Sequence, residues 1–358
     1  MSSIVATNSS DGGDGEESPP PPATLGLPCK VRPLSAEDLP AADRVMRLAF
    51  GTFLGMPDPS QFMGDAAYVQ SRFRYTRHFG AFNDDSRLVG SVFATVWGSF
   101  GFFGPLTVEP AAQGRGIAQT LLAEVERFFD GVDGLRRRGL STFAHSTLHV
   151  HLYMKFGYVA RFLVAVTSKE LESGRSKESG VPQESGGSKG ASDCPPYRLL
   201  SAQTTSERAR TRQAASALAS SAVFAGLDHG VEFDAVLDLS LGDVVLLFSG
   251  SSLLAYAVVH SGAGSEAGSK TAYVKVAVAC DGKSFRGLLA ACETYAASSL
   301  VKARKLLAGV NVGRTAAFAV MREREYRAVM QGVAMEKACE AGQAGFDNDD
   351  VFVCDDWR

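Results

Sequence analysis

A glycine-containing loop between an apolar segment and a helical one carries the residues best suited to chemistry. Gly114, Arg115 and Gly116 follow the apolar run 101–108, and an amphipathic pattern of helical spacing begins at Ile117. The first turn of a helix leaves N–H groups unpaired at the positive end of its dipole, which suits a phosphate. Glycines let the backbone approach a ligand closely, and the guanidinium adds a permanent charge. The loop therefore predicts a diphosphate site.

The loop lacks the features of two common nucleotide-binding motifs. A nucleoside triphosphate loop needs Gly-Lys-Ser/Thr at its helix, and this loop has no such tripeptide. The dinucleotide fingerprint needs a third glycine where Gln119 stands. A glycine-rich turn that enters a helix and holds no ligand remains the alternative.

The segment Gln113–Ala118 resembles the coenzyme A loop of the GNAT superfamily of acyl-CoA N-acyltransferases. The resemblance implies acetyl-CoA as acyl donor, a primary amine as acceptor, and direct attack of the amine on the thioester. It also implies contacts with coenzyme A from a strand, the loop and a later helix. These residues are Leu106, Thr107, Val108, Gln113, Gly114, Arg115, Gly116, Ile117, Ala118 and Ser146.

The segment His149–Tyr158 is similar to a second element of the same superfamily, a tyrosine followed by a lysine and a glycine–aromatic pair. The superfamily usually has an asparagine seven residues before this tyrosine, and Ser146 stands there. The resemblance implies that Tyr153 protonates the departing thiolate and that the Val108 N–H stabilises the oxyanion. A packed aromatic residue on a short helix is the alternative role of Tyr153.

The base that deprotonates the acceptor is not evident. The strand before the loop is apolar, and Glu109 is expected to face the loop surface. His145, His149 and His151 titrate in a suitable range but are each also expected as ordinary packing or surface histidines. A water chain is a further alternative. His149 and His151 face different sides of a helix, so we predict no metal site.

Secondary-structure patterns place the loop in an α/β unit with a mixed sheet and helices on both faces. A strand near Lys30, a helix from Ser35 and three strands between 79 and 108 precede the loop helix. A strand over 140–144, a helix over 148–156 and a strand over 158–167 follow it. This order is similar to the GNAT arrangement. The run 136–138 of three arginines is expected to be a solvated helix end or loop.

The second half of the chain repeats this order with its chemistry missing. The position of the loop holds Asp281 and a single glycine, and Phe318 stands where the first half has Tyr153. We therefore predict two tandem GNAT folds, with the second degenerate. The expected boundaries are a disordered tail over 1–29, an active domain over 30–171, a flexible linker over 172–196 and a degenerate domain over 197–358.

Composition bounds the remaining possibilities. The 358 residues are 45% hydrophobic with a net charge of -3, which argues against nucleic-acid binding. No apolar run is long enough to cross a bilayer, and the six scattered cysteines indicate a reducing compartment. We therefore expect a soluble, cytoplasmic N-acetyltransferase of unknown oligomeric state, with no metal. The alternatives are a CoA-binding regulatory or scaffold protein without turnover, and an interaction module that binds no CoA.

Overall fold

The computed structural model describes residues 29–171, 194–338 and 351–356 of the chain. Nearly all of the predicted tail and most of the predicted linker lie outside the described residues. The first half contains β1 (Lys30–Pro33), α1 (Leu39–Phe53), α2 (Gln70–Phe73), β2 (Arg77–Phe82), β3 (Leu88–Trp97), β4 (Phe100–Val108), α3 (Ile117–Asp130), β5 (Arg137–Phe143), α4 (Thr147–Met154) and β6 (Val159–Glu170).

The second half follows the same alternation of strands and helices. It contains β7 (Arg198–Leu199), α5 (Thr205–Ala222), α6 (Gly230–Asp238), β8 (Gly242–Ser249), β9 (Ser252–Gly262), β10 (Gly268–Ala279), α7 (Gly282–Ala297), β11 (Lys305–Asn311), α8 (Thr315–Glu323), β12 (Arg327–Ala338) and β13 (Phe352–Cys354). Short 3-10 turns lie at Ala36–Asp38, Pro59–Gln61, Pro110–Ala112 and Leu200–Ala202. The mixed α/β fold predicted from the sequence is confirmed.

The strands form one mixed sheet that runs through both halves. Its order is β1-β2-β3-β4-β5-β12-β6-β11-β10-β9-β8-β7, with β13 added to β10. The pairs β4–β5 and β10–β11 are parallel. The order is mirrored about its centre, so β10, β11 and α7 take the places in the second half that β4, β5 and α3 take in the first.

The two halves exchange their last long strands. β12 of the second half pairs with β5, from Arg137 opposite Ala338 to Phe143 opposite Gly332. β6 of the first half pairs with β11 on one side and with β12 on the other. Each half is therefore completed by a strand of the other, and the division along the chain is not a division of the sheet.

Apolar faces of α1 and α3 cover opposite sides of the first half. In α1 the buried residues Ala42, Val45 and Met46 recur at helical spacing and pack with Phe93 of β3. In α3 the buried stripe packs against β3 and β4 from the other side. This stripe is Ile117, Leu121, Leu122, Val125 and Phe129. The helical pattern predicted after the loop is confirmed.

The arginine run 136–138 was expected to be solvated; Arg136 is exposed in a loop, but the expectation is wrong for Arg137 and Arg138. Arg137 lies in β5 with 2% of its surface exposed, and its guanidinium is 2.9 Å from the Glu336 carboxylate of β12. Arg138 lies 2.8 Å from Glu126 of α3. A buried charge persists when a carboxylate faces it. The carboxylate that pairs with Arg137 belongs to a residue 199 positions away in the sequence, so the local charge pattern could not indicate this ion pair.

Candidate functional site

A gap opens in the sheet between β4 and β5. The two strands pair only over their first residues, Phe100–Phe102 with Arg137–Gly139. Beyond that point β4 keeps β3 as its neighbour, and β5 keeps β12. The gap therefore widens toward the carboxyl ends of two parallel strands, where ligands of α/β sheets usually bind.

The edge of β4 that faces the gap offers unpaired backbone groups. The N–H of Glu109 donates to the Val89 carbonyl at 2.8 Å, so Glu109 is a hydrogen-bonded partner of β3. Hydrogen-bonded positions alternate along an antiparallel ladder. The backbone N–H of Thr107 therefore also points toward β3, whereas those of Leu106 and Val108 point into the gap. The Thr107 hydroxyl lies 3.2 Å from Ser91. Of the three predicted strand residues, two reach the gap through their backbone.

The loop after β4 is a bare backbone surface. Gly114 and Gly116 adopt left-handed φ of +77° and +82°, which their lack of a Cβ permits. The amide N–H groups of residues 114–119 have no hydrogen-bond partner in the described part of the chain. Arg115 is exposed and makes no ion pair with a described residue. The loop therefore presents consecutive N–H donors and the exposed guanidinium of Arg115 at a helix N-terminus, which suits a diphosphate.

Side chains next to the loop fix its position. Gln113 donates from Nε2 to the Val108 carbonyl at 3.1 Å, which joins the loop to the end of β4. In the first turn of α3, Ile117 is buried and Ala118 is partly buried. A Cβ on Gly90 of β3 would lie 3.0 Å from the Thr107 carbonyl and 3.2 Å from the Ile117 side chain. This glycine therefore lets the start of α3 lie close to the sheet.

Tyr153 lies on the α4 side of the gap. It is buried, and its ring centroid is 5.7 Å from that of Phe103 on β4. Its hydroxyl has no hydrogen-bond partner among the described residues. Burial raises the pKa of the phenol above its usual value, so the group stays protonated at neutral pH. Both possible roles of this residue, proton donor and packed aromatic, are compatible with this position.

Ser146 serves as the N-cap of α4. Its hydroxyl accepts the His149 backbone N–H at 3.4 Å, and the side chain is buried. Serine is a favoured residue at this position because it satisfies one of the unpaired helix donors. The structure thus gives Ser146 a local role that a sequence comparison with the usual asparagine does not predict.

The four candidate bases for deprotonating an acceptor differ in their exposure and in the side chains they contact. Glu109 forms an ion pair with Arg87 at 2.7 Å, as expected of a residue on the loop surface. His151 is exposed. His145 and His149 both pack on the Phe53 ring at the end of α1, with centroid distances of 5.5 and 5.1 Å.

The histidine contacts belong to an aromatic rim that the sequence analysis missed. Phe53 also lies 4.8 Å from Phe143, the last residue of β5, and Phe50 stacks on Phe62 at 5.3 Å. We call Phe50, Phe53, Phe62 and Phe143 the aromatic rim. It joins the end of α1 to the carboxyl end of β5, beside the gap. The apolar composition of the segment after Phe50 was the signal in the sequence.

The equivalent gap in the second half is filled by the chain itself. Residues Phe352–Cys354 of β13 pair with Ala277–Ala279 of β10. These β10 residues correspond to 106–108 of β4, because the Cys280 N–H donates to Leu254 as Glu109 donates to Val89. The edge that is open in the first half is therefore occupied in the second.

The residues around β13 close the second gap further. Asp281 caps α7 by accepting the Ser284 N–H at 2.7 Å, so the helix N-terminus already holds an anion. A Cβ on Gly282 would lie 3.0 Å from the Phe352 ring. Buried Asp355 lies 3.1 Å from the guanidinium of Arg314. A diphosphate would meet a carboxylate here instead of free amides.

No described helix is both long and apolar enough to span a bilayer. No group of three or more His, Cys, Asp or Glu side chains is arranged to hold a metal ion within the described ranges.

Comparisons with known proteins agree with this architecture. Residues 46–158 match the family model described as Acetyltransferase (GNAT) family. A provisionally assigned acetyltransferase from Pyrococcus horikoshii is 14% identical, with a TM-score of 0.59 over 91% of this chain and 93% of that one. A GCN5-related N-acetyltransferase from Sphaerobacter thermophilus is 13% identical, with a TM-score of 0.56 over 91% and 100%. At these identities the two structures show the fold alone. No curated protein sequence matches the chain significantly.

Proposed function

We propose that this chain transfers an acetyl group from acetyl-CoA to a primary amine, because residues 46–158 match the acetyltransferase (GNAT) family model. The observation that carries the proposal is the open edge of β4 between the bare amide loop and Tyr153. The first half would be the active domain, over 30–171, and the second half, over 197–358, would be degenerate.

The proposed donor site uses the loop for the diphosphate and β4 for the pantetheine arm. The N–H groups of residues 114–119, including those of Ile117 and Ala118, would bind phosphate oxygens, with Arg115 adding charge. The outward backbone of Leu106 would pair with the amides of the arm, and the outward N–H of Val108 would face the thioester at its end. Thr107 and Ser146 would line the site without donating a side-chain hydrogen bond to the donor, since the hydroxyl of each already has a partner.

The proposed chemistry needs a donor for the oxyanion and a proton for the thiolate. The Val108 N–H would stabilise the charge that develops on the thioester oxygen. Gln113 holds the adjoining peptide through the Val108 carbonyl, which fixes the direction of that strand end. Tyr153 would protonate the leaving thiolate, since its phenol stays protonated at neutral pH and has no competing partner among the described residues.

The aromatic rim supports a small or partly apolar amine as the acceptor. Its rings line the carboxyl end of β5, and Phe53 is 37% exposed. Exposed aromatic faces bind apolar groups and also attract ammonium ions.

The test is release of free CoA from acetyl-CoA in the presence of 2-phenylethylamine, n-butylamine and spermidine. We expect turnover with at least one amine, and none with Gly116→Asp, which puts a carboxylate at the diphosphate site. Gly134→Asp is the matched control, because Gly134 has a φ of +74° and an open Cβ position beyond the other end of α3.

A CoA-binding scaffold without turnover is the second candidate. The apolar β4 and the use of Ser146 as a helix cap favour it. Binding of acetyl-CoA without turnover of any amine would support this candidate and contradict the proposed transfer.

A further inference from the structure

We infer that His149 is the base that deprotonates the acceptor amine, within a site walled by Phe53 and Phe143 at the end of the β4–β5 gap. The inference rests on the proposed function and adds a residue that the comparisons do not assign. Residues three and four apart share one face of a helix, so His149 and Tyr153 lie on the same face of α4, one turn apart. That face runs from β4 to α1, since Tyr153 contacts Phe103 and His149 contacts Phe53.

The imidazole of His149 is available for proton transfer. Neither ring nitrogen has a hydrogen-bond partner among the described residues, and the side chain is half-buried. His145 and Phe53 face it from the adjoining loop and from α1. Among the described residues, His145 is the titratable side chain close enough to affect the charge on the His149 imidazole. Burial first, and then the neighbouring His145, lowers the pKa of His149 below its usual value, so the ring is a neutral proton acceptor at pH 7.

The other candidates in the described structure are less suited. β4 carries no carboxylate, and Glu109 is held by Arg87. His151 is exposed two positions further along α4, on a different side of the helix from His149. The face shared by His149 and Tyr153 therefore provides both proton-transfer groups that the reaction needs.

The proton inventory balances with these two residues. His149 takes one proton from the acceptor ammonium, and the freed nitrogen lone pair attacks the thioester carbon. The C–N bond forms and the C–S bond breaks, and the thiolate takes the Tyr153 proton. The new amide nitrogen then returns its extra proton to the Tyr153 phenolate, and His149 releases its proton to solvent. The products are the acetylated amine, CoA and one proton.

The test measures the pH dependence of kcat/KM for His149→Gln with the most active amine of the panel above. We expect a loss of about 10²–10⁴-fold at pH 7, an unchanged affinity for acetyl-CoA, and loss of the acidic limb of the parent profile. His151→Gln should retain the parent rate and profile.

A second variant separates catalysis from packing. His145→Gln removes the imidazole that lowers the pKa of His149, so this pKa should rise and the acidic limb should move to higher pH. A merely structural His149 would not couple to His145 in this way. A parent that turns over an amine while His149→Gln keeps its rate would overturn this inference alone. A parent that turns over no amine would overturn the proposed function and the inference together.

Discussion

Tyr153, the residue predicted from the sequence to donate a proton, lies beside the gap between β4 and β5. Its buried hydroxyl has no partner in the described part of the chain, unlike the hydroxyl of the neighbouring buried Tyr158, which donates to Glu126 at 2.6 Å. The two tyrosines thus differ in what their hydroxyl groups can do. Of the two, the Tyr153 hydroxyl is the one without a partner among the described residues, so it can serve a ligand in the gap.

Tyr153→Phe should lower kcat by about 10²–10⁴-fold, because it removes one positioned proton donor. The affinity for acetyl-CoA should not change, since the loop and β4 are untouched. Steady-state kinetics and calorimetry check both parts. Tyr158→Phe is the control and should keep its rate, with a loss of unfolding free energy of about 1 kcal/mol. Equal rates for Tyr153→Phe and the parent would assign Tyr153 to packing.

The glycine turn that enters α3 could be predicted from the sequence because its residues are adjacent in the chain. Glycines, an arginine and the first turn of a helix are adjacent in the chain, so spacing alone indicates an anion site. The direction of Val108 and the turning of Thr107 toward Ser91 depend on the register with β3, which spacing does not give. The pairing of His149 with Phe53 joins residues almost a hundred positions apart, and no local pattern indicates it.

At the scale of elements, helix and strand patterns predicted both halves, and the partners of the strands could not be predicted. The residue patterns of β5 and β6 are compatible with a strand but do not indicate which strands pair with them. A period-two pattern fixes which face is buried but does not identify the strand across the ladder. The exchange of β6 and β12 therefore emerges only from the structure.

Residues 29–171 expressed alone should not form a soluble folded domain. They would lack β12 beside β5 and β11 beside β6, which leaves long strand edges open to aggregation. Co-expression with 194–358 as a separate chain should restore a soluble complex of the two pieces. Size-exclusion chromatography and circular dichroism check this outcome. A folded monomer of residues 29–171 that binds acetyl-CoA would contradict the exchanged arrangement.

At the scale of the whole molecule, the two halves share a sheet, a core and buried charges. Glu266 of the second half lies 2.9 Å from Arg72 of the first and 3.0 Å from Lys275. These cations lower the pKa of Glu266 to about 2 against the cost of its burial. Trp97 of β3 donates to Glu232 at 2.9 Å across the same boundary. The halves are therefore joined by buried ion pairs and a buried hydrogen bond as well as by the sheet, although their two gaps differ.

The two gaps of the sheet differ in what occupies them. One is open beside bare amides, and the other is filled by β13 and capped by Asp281. The most direct measurement is calorimetric titration of the full chain with acetyl-CoA. We predict one molecule bound per chain with micromolar affinity, about -8 kcal/mol, and none with Gly116→Asp. Two molecules per chain, no binding, or full binding by Gly116→Asp would contradict the assignment of the first-half gap as the acyl-CoA site.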